Sequence, residues 1–243
     1  KPGGSLIVCN GLNIAGETYG LEDNSDYSFQ NIHIVDGIYH FDFKYAGGIY
    51  KDITFMKPGR HNLLNALAAI TMAVKAGIAP EKLLPHLATF KGVKRRFSYI
   101  IKEKDFVFID DYAHHPTEIK ATLKAAKELE KHRVICVFQP HRYSRTSLLK
   151  DEFATAFTSA DEIYMTDIYS SGEDPISGID GHTIPNIISE VTHQHVNYVE
   201  DVNDLPAILA KVVRQNDLVI TMGAGSINQY GPKLLALLEE GLQ

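Results

Sequence analysis

The sequence predicts an α/β protein in which a doubly wound, mostly parallel sheet over residues 93–243 follows a smaller unit of antiparallel strands and helices over residues 1–92. Three observations carry that expectation. From Asp105 onward, five short apolar runs alternate with stretches of helical periodicity, the pattern of parallel strands joined by right-handed crossovers. Between residues 5 and 57 the apolar residues alternate one by one, as in strands with one buried face. Lys91-Gly92-Val93 lies between these two styles and reads as a linker.

Taken in order, Tyr27-Ser28-Phe29, Ile32-His33-Ile34-Val35 and Ile38-Tyr39-His40-Phe41-Asp42-Phe43 read as an antiparallel meander. Asp36-Gly37 supplies a hairpin turn, because both central positions of that turn need positive φ. Gly47-Gly48 supplies the next break. A helix is expected from about Asn62 to Ala76, rich in Ala and Leu and closed by Gly77. A shorter helix follows over Pro80–Phe90. In the second part, strands are expected at Phe106–Asp110, Arg133–Phe138, Glu162–Met165, Val196–Val199 and Leu218–Met222. Helices should lie at about 116–130, 147–159, 181–192, 203–213 and 226–240. Ligands of such a sheet gather beyond the carboxyl ends of its strands, and the polar clusters of this sequence fall there. The opening Lys1-Pro2-Gly3-Gly4-Ser5-Leu6-Ile7-Val8-Cys9 enters an apolar run too short for a secretory signal, so further chain is expected upstream.

The 243 residues are 44% hydrophobic and 22% charged, the balance of a globular protein with a sizeable core. No run of about 18 apolar residues occurs, so no membrane insertion is expected. Charges balance over residues 1–92, and the whole net charge of −6 falls on residues 93–243. That distribution argues against nucleic acid as a partner. Local basic clusters at Lys94-Arg95-Arg96 and at Arg142 and Arg145 keep small anions as candidate ligands. Cys9 and Cys136 each sit in an apolar run and are expected to be buried, reduced thiols, as in a cytoplasmic protein.

Several clusters carry chemistry. Asn62 and Asn65 are three apart near a helix start and share a face. Their amides suit the donor–acceptor edge of an adenine; alternatively Asn62 is an N-cap and Asn65 a polar surface residue. The Lys94-Arg95-Arg96 cluster offers planar forks for a phosphate, or is a basic linker. In Asp110-Asp111-Tyr112-Ala113-His114-His115-Pro116, a carboxylate at a strand end can accept ribose hydroxyls, and the aromatic beside it can stack on a base. His114 and His115 are adjacent and have no third ligand at a zinc-like spacing, so no metal is expected there. One histidine is expected to bond or polarise, the other to cap the following helix or pack.

Arg142 and Arg145, in Gln139-Pro140-His141-Arg142-Tyr143-Ser144-Arg145-Thr146, can converge on one carboxylate or phosphate, or be incidental loop charge. Residues 167–180 form a long strand-end loop of the kind that carries function, its task open. Gly223-Ala224-Gly225 before the last helix allows an anion to approach backbone N–H groups. It lacks the third glycine of a dinucleotide fingerprint and follows the last strand rather than the first. The phosphate-loop pattern Gly-x-x-x-x-Gly-Lys-Ser/Thr does not occur in the sequence.

In order and spacing, five segments together resemble the Mur ligases across essentially the whole chain: His61-Asn62-x-x-Asn65-Ala66, Lys94-Arg95-Arg96-Phe97, Asp110 to Glu118, Phe138 to Thr146 and Gly223-Ala224-Gly225. Phe138-Gln139-Pro140-His141-Arg142-Tyr143-x-Arg145 is the most discriminating. It is similar to the family member that joins L-alanine to UDP-N-acetylmuramate. The tripeptide-recycling member shares the Asp-Asp-x-Ala-His-His-Pro stretch but not this arginine motif.

The resemblance implies an ATP- and magnesium-dependent amide-bond ligase of peptidoglycan synthesis, working through an acyl phosphate. Residues 1–92 would be the C-terminal portion of a central ATP-binding domain, and residues 93–243 a Rossmann-like ligase domain. The phosphate-binding loop and the magnesium ligands would lie upstream of Lys1. By the same resemblance Asn62 and Asn65 face adenine and Arg96 reaches the nucleotide phosphates. Asp111 holds the ribose and Tyr112 stacks near the base. His114, Arg142 and Arg145 form the pocket for the amino-acid carboxylate. A tripeptide-recycling ligase and a stand-alone nucleotide- or anion-binding module are the other readings.

Overall fold

The computed structural model describes residues 4–22, 24–103, 106–129 and 133–241, with side chains described as far as residue 237. The expected strand entry at residues 1–3, the pattern change at residue 105 and the expected helix end at residue 130 lie outside the described residues. The chain forms two compact units, Lys1–Gly92 and Val93–Gln243.

The first unit holds a sheet of β1 (Ile7–Cys9), β2 (Glu17–Gly20), β3 (Tyr27–Val35), β4 (Ile38–Tyr45) and β5 (Gly48–Phe55), ordered as in the chain. β3, β4 and β5 are the expected meander. β1 and β2 depart from it, since β1 pairs parallel with β2 and β2 parallel with β3. Strands of three and four residues are short enough for a loop to run back along them, so no tight reversal is required. Asp36 (φ 50) and Gly37 (φ 75) join Val35 to Ile38 in the two-residue turn their sequence called for.

Along β4, Tyr39, Phe41 and Phe43 are buried while the residues between them are not. The period of two places these three rings on Phe29 and beneath α1 (Arg60–Lys75), which contributes Leu63, Leu67 and Ile70 at helical spacing. Gly77 ends α1 at φ 89, with its N–H on the Val74 carbonyl and that of Ile78 on Ala73. The following helix is shorter than expected. α2 (Pro80–Leu83) gives way to a 3₁₀ turn at Leu84–His86, because Pro85 has no N–H for the helical ladder. Cys9 is only half-buried, contrary to expectation, since β1 is an edge strand.

The second unit is a six-stranded sheet ordered β10-β9-β8-β11-β7-β6, comprising β6 (Ser98–Lys102), β7 (Phe106–Asp111), β8 (Arg133–Phe138), β9 (Glu162–Thr166), β10 (Val196–Val199) and β11 (Asp217–Met222). Five strands are parallel, and β6 joins antiparallel at the β7 edge. β6 escaped the sequence pattern because Ser-Tyr-Ile-Ile-Lys does not alternate. α3 (Pro116–Lys127), α4 (Tyr143–Phe153) and α5 (Thr183–Thr192) pack Leu123, Phe153 and Ile188 into one core. α6 (Leu205–Val212) and α7 (Tyr230–Gly241) pack Leu209 and Leu234 into the other. The winding therefore changes face at β11, which sits between β8 and β7, and the strand ends there form a switch-point crevice. Cys136 is fully buried in the first of these cores, and burial raises its thiol pKa. Among the described residues no helix is long and apolar enough to cross a membrane.

At the amino edge of the sheet, Arg133 ties three strands together. Its Nε and Nη2 grip the Asp217 carboxylate at 3.0 and 2.7 Å, its Nη1 bonds Glu162, and Nη2 also reaches the Val212 carbonyl at 3.0 Å. Asp217 additionally accepts the Arg214 N–H at 2.7 Å. Replacing Arg133 by Ala strands the buried Asp217 charge and is expected to cost about 3 kcal/mol in urea unfolding. Lys should recover little of it, lacking the two-pronged fork.

Candidate functional site

The carboxyl edge of the sheet is built around two consecutive carboxylates at the end of β7. Asp110 and Asp111 are both buried, and strand alternation sends them to opposite faces. Asp111 accepts the Phe97 N–H at 2.6 Å and the Ala113 N–H at 2.7 Å. Burial pushes its carboxyl up to about 6, the two main-chain bonds and Arg96 pulling against that rise while Asp110 adds to it. Asp110 bonds Arg95 Nε at 3.0 Å and Thr221 Oγ1 of β11 at 3.1 Å. Arg95 then carries the connection to the Gly223 carbonyl at 2.6 Å. The segment before β6, the end of β7 and the loop after β11 are thus stapled together.

On this base stands an exposed aromatic. Tyr112 is 37% accessible, with the guanidinium carbons of Arg95 and Arg96 at 5.1 and 5.6 Å from its ring centre. Arg96 also reaches Glu118 at 3.2 Å. Glu118 accepts the N–H groups of His114 and His115, while His115 Nδ1 accepts from the Thr117 N–H, together capping α3. His115 is therefore the capping histidine. Burial works to raise the Glu118 carboxyl, but the His114 N–H, the His114 charge and Arg96 outweigh it and hold it below the usual range.

The second half of the site follows β8. His114 donates from Nδ1 to the Tyr112 carbonyl at 2.9 Å, and its ring lies 6.2 Å from that of His141. Arg145 Nη1 bonds both the His141 carbonyl and His141 Nδ1, each at 3.0 Å. Arginine can only donate, so Nδ1 is the acceptor and the His141 proton sits on Nε2. Burial, followed by the charges of Arg145, His114 and Arg142, lowers the His141 pKa, with Glu173 opposing, so the ring is neutral at neutral pH. Tyr169 stacks on His141, the ring centres 5.6 Å apart.

The structure thus gathers the three expected carboxylate residues, His114, Arg142 and Arg145, around His141. The sequence by itself assigns His141 no role. The clue was its place between a buried strand and two arginines. Arg96, Asp111 and Tyr112 are brought together beside α3. Asn62 and Asn65 belong to the first unit. There Asn62 is the third residue of α1, donating to the Pro58 carbonyl at 2.6 Å rather than capping, and Asn65 is exposed one turn on.

The glycines after β11 serve close packing. A Cβ on Gly223 would meet the Gln139 carbonyl oxygen at 2.8 Å, and one on Gly225 would meet Gln139 Oε1 at 2.6 Å and Tyr169 Cγ at 2.7 Å. Gln139 Oε1 takes the Ile227 N–H at 3.1 Å, so that donor is already spent rather than left for an anion. Among the described residues no three His, Cys, Asp or Glu side chains are grouped to hold a metal ion.

Residues 95–225, more than half of the chain, match the family described as Mur ligase, glutamate ligase domain. Among curated proteins the chain is 41% identical over 241 residues to the UDP-N-acetylmuramate–L-alanine ligase of Christiangramia forsetii, covering 98% of this chain and 52% of that protein. It is 42% identical over 236 residues to the ligase of the same name from Flavobacterium psychrophilum, covering 97% and 51%. Among solved structures it matches UDP-N-acetylmuramate–alanine ligase from Thermotoga maritima with a TM-score of 0.77 at 28% identity, over 93% of this chain and 49% of that one. A murein peptide ligase from Psychrobacter arcticus, at 24% identity and a TM-score of 0.61 over 89% and 45%, shares the fold. The chain spans about half the length of the curated relatives it matches.

Asp111→Asn offers one acceptor oxygen and an NH₂ to two inward-facing N–H donors, and is expected to cost about 1–3 kcal/mol in chemical unfolding. The wild-type carboxyl has a folded pKa of about 6 against an ordinary 3.8. The folded chain therefore keeps a proton that the unfolded chain sheds between those values. The corresponding stability is whole below the lower value and lost as pH rises through the upper one, so the gap between wild type and variant should narrow from about pH 4 to about pH 7. A gap independent of pH would contradict the shift.

Proposed function

The chain belongs to the Mur ligase family, and we propose that it carries the amino-acid side of a cytoplasmic, ATP-dependent ligase that joins L-alanine to UDP-N-acetylmuramate in peptidoglycan synthesis. The observation that carries this reading is the grouping of His114, Arg142 and Arg145 around a neutral His141 at the carboxyl edge of the sheet. The names of relatives sharing about two residues in five over nearly the whole chain support the substrate.

An amino acid presents a carboxylate and an amine, and the cluster offers partners for both. Arginine forks suit the carboxylate, and His141 adds an Nε2–H donor beside Arg145. In its neutral form His114, with Nδ1–H committed to the Tyr112 carbonyl, offers Nε2 as an acceptor for the amine. Held in this way, alanine would have its nitrogen oriented for attack, and orientation is where such a ligase gains most of its rate. ATP supplies the phosphoryl group that activates the muramate's lactyl carboxylate as an acyl phosphate, and attack by the amine expels phosphate.

On the nucleotide side, Tyr112 provides an exposed ring for stacking and Arg96 a charge beside it. Asp111 has one lone pair left on each oxygen for ribose hydroxyls. Within the first unit, taken by itself, Asn62 and Asn65 share a helical face that would suit an adenine edge. Magnesium would accompany the nucleotide phosphates, and no step is assigned to it.

The test uses the protein expressed from its complete reading frame, following phosphate release that depends on UDP-N-acetylmuramate. Release with L-alanine is expected. Preference for a tripeptide would move the protein to the recycling ligase, and no release with any amine would leave a binding module. Arg142→Ala and Arg145→Ala should each raise the L-alanine KM by roughly 10- to 100-fold while leaving the ATP KM within about twofold. Equal effects on both constants would remove the carboxylate assignment.

A further inference from the structure

The loop after β9 is tied to the arginine segment at Tyr169 and at Glu173. Tyr169 donates its N–H to the Pro140 carbonyl and accepts the Arg142 N–H, both at 2.9 Å, and stacks on His141. Glu173 extends this seam. It accepts the Ser144 hydroxyl at 2.6 Å and the Ser144 N–H at 3.0 Å, and Oε1 lies 3.8 Å from Arg142 Nη1. The Ser144 hydroxyl and N–H hold the Glu173 carboxyl below the usual range, so it is ionised at neutral pH.

The start of α4 shows why that carboxylate is needed. Arg142 occupies the N-cap position at φ 74, and no side chain of its own segment caps the helix. An arginine in the left-handed region is strained and persists only where its surroundings hold it. Glu173 supplies from a neighbouring loop the negative charge that a helix start favours, and it places that charge beside the same arginine. Its two oxygens are committed to Ser144, so it stays in place while most of the five Arg142 donors remain for another carboxylate.

We propose that Glu173 is the positioning residue for Arg142, fixing from the 167–180 loop where that guanidinium stands when the amino-acid substrate's carboxylate arrives. The inference rests on the reading of Arg142 given above. It also assigns a task to the loop, which holds the arginine segment in its binding conformation.

The experiment compares Glu173→Ala, Glu173→Gln and Arg142→Ala, singly and combined, in the protein from the complete reading frame. Glu173→Ala should raise the KM of the amine substrate about tenfold, with kcat and the ATP KM within about twofold. Glu173→Gln keeps an acceptor for Ser144 but loses the charge facing Arg142, and should fall between wild type and Glu173→Ala. Adding Glu173→Ala to Arg142→Ala should raise KM no further, because one residue acts through the other. An unchanged amine KM, an equal rise in the ATP KM, or additive effects would overturn the proposal.

Amide exchange of the 243-residue chain separates this failure from failure of the ligase reading. Whatever the substrate, Glu173→Ala should speed exchange of the Ser144 N–H about tenfold or more, with the β8 amides unchanged. Unaltered exchange at Ser144 would refute the positioning role by itself.

Discussion

Two buried carboxylates at the end of one strand hold the candidate site together. Asp110 and Asp111 leave β7 on opposite faces, and each is anchored by donors from segments distant in sequence. Burying a carboxylate is unfavourable unless its oxygens are bonded. The surrounding chain is therefore bound to present Phe97, Ala113, Arg95 and Thr221 in one arrangement. Tyr112 and His114 follow directly and take their places from that arrangement. The order of dependence runs from a solvation cost, to a fixed backbone, to an exposed set of polar groups.

The two edges of the sheet use charge differently. At the amino edge, Arg133 is consumed by Asp217 and Glu162, and its role is to hold strands together. At the carboxyl edge, Arg142 stands half-exposed with one acidic neighbour at 3.8 Å, and Arg145 bonds a neutral imidazole and a carbonyl. Guanidinium donors that the protein leaves uncommitted are available to an anion. Preorganised donors of this kind need little rearrangement when charge arrives.

What could be read beforehand was what neighbours in sequence determine. Asp36-Gly37 specified its turn, Gly77 its helix end, and the β8 and β10 runs their limits, because each depends on local φ preferences or on alternation. β6 could not be read, since an edge strand borrows its order from β7. The parallel pairing of β1 and β2 has no local signature either. α4 begins four residues earlier than its composition suggests, where Arg142 turns into it and Glu173 caps it from 29 residues beyond Ser144. In the site, the motif residues were legible as types. His141 and Glu173 were not legible as actors, because their roles arise from partners brought by other strands.

The sheet order also bears on how the second unit is made. β11 is last of its strands in sequence yet lies at the middle of the sheet, between β7 and β8. A chain emerging from synthesis with β6 to β10 complete still lacks the strand that joins its two halves, and β7 and β8 have no partner in common. Native closure waits for residues 217–222, a pairing of long sequence separation and correspondingly slow. The Gly223 and Ile227 bonds to Arg95 and Gln139 form only after that insertion. Losing the last strand would remove the centre of this sheet rather than its rim, so the site is completed only when nearly the whole chain is available to fold.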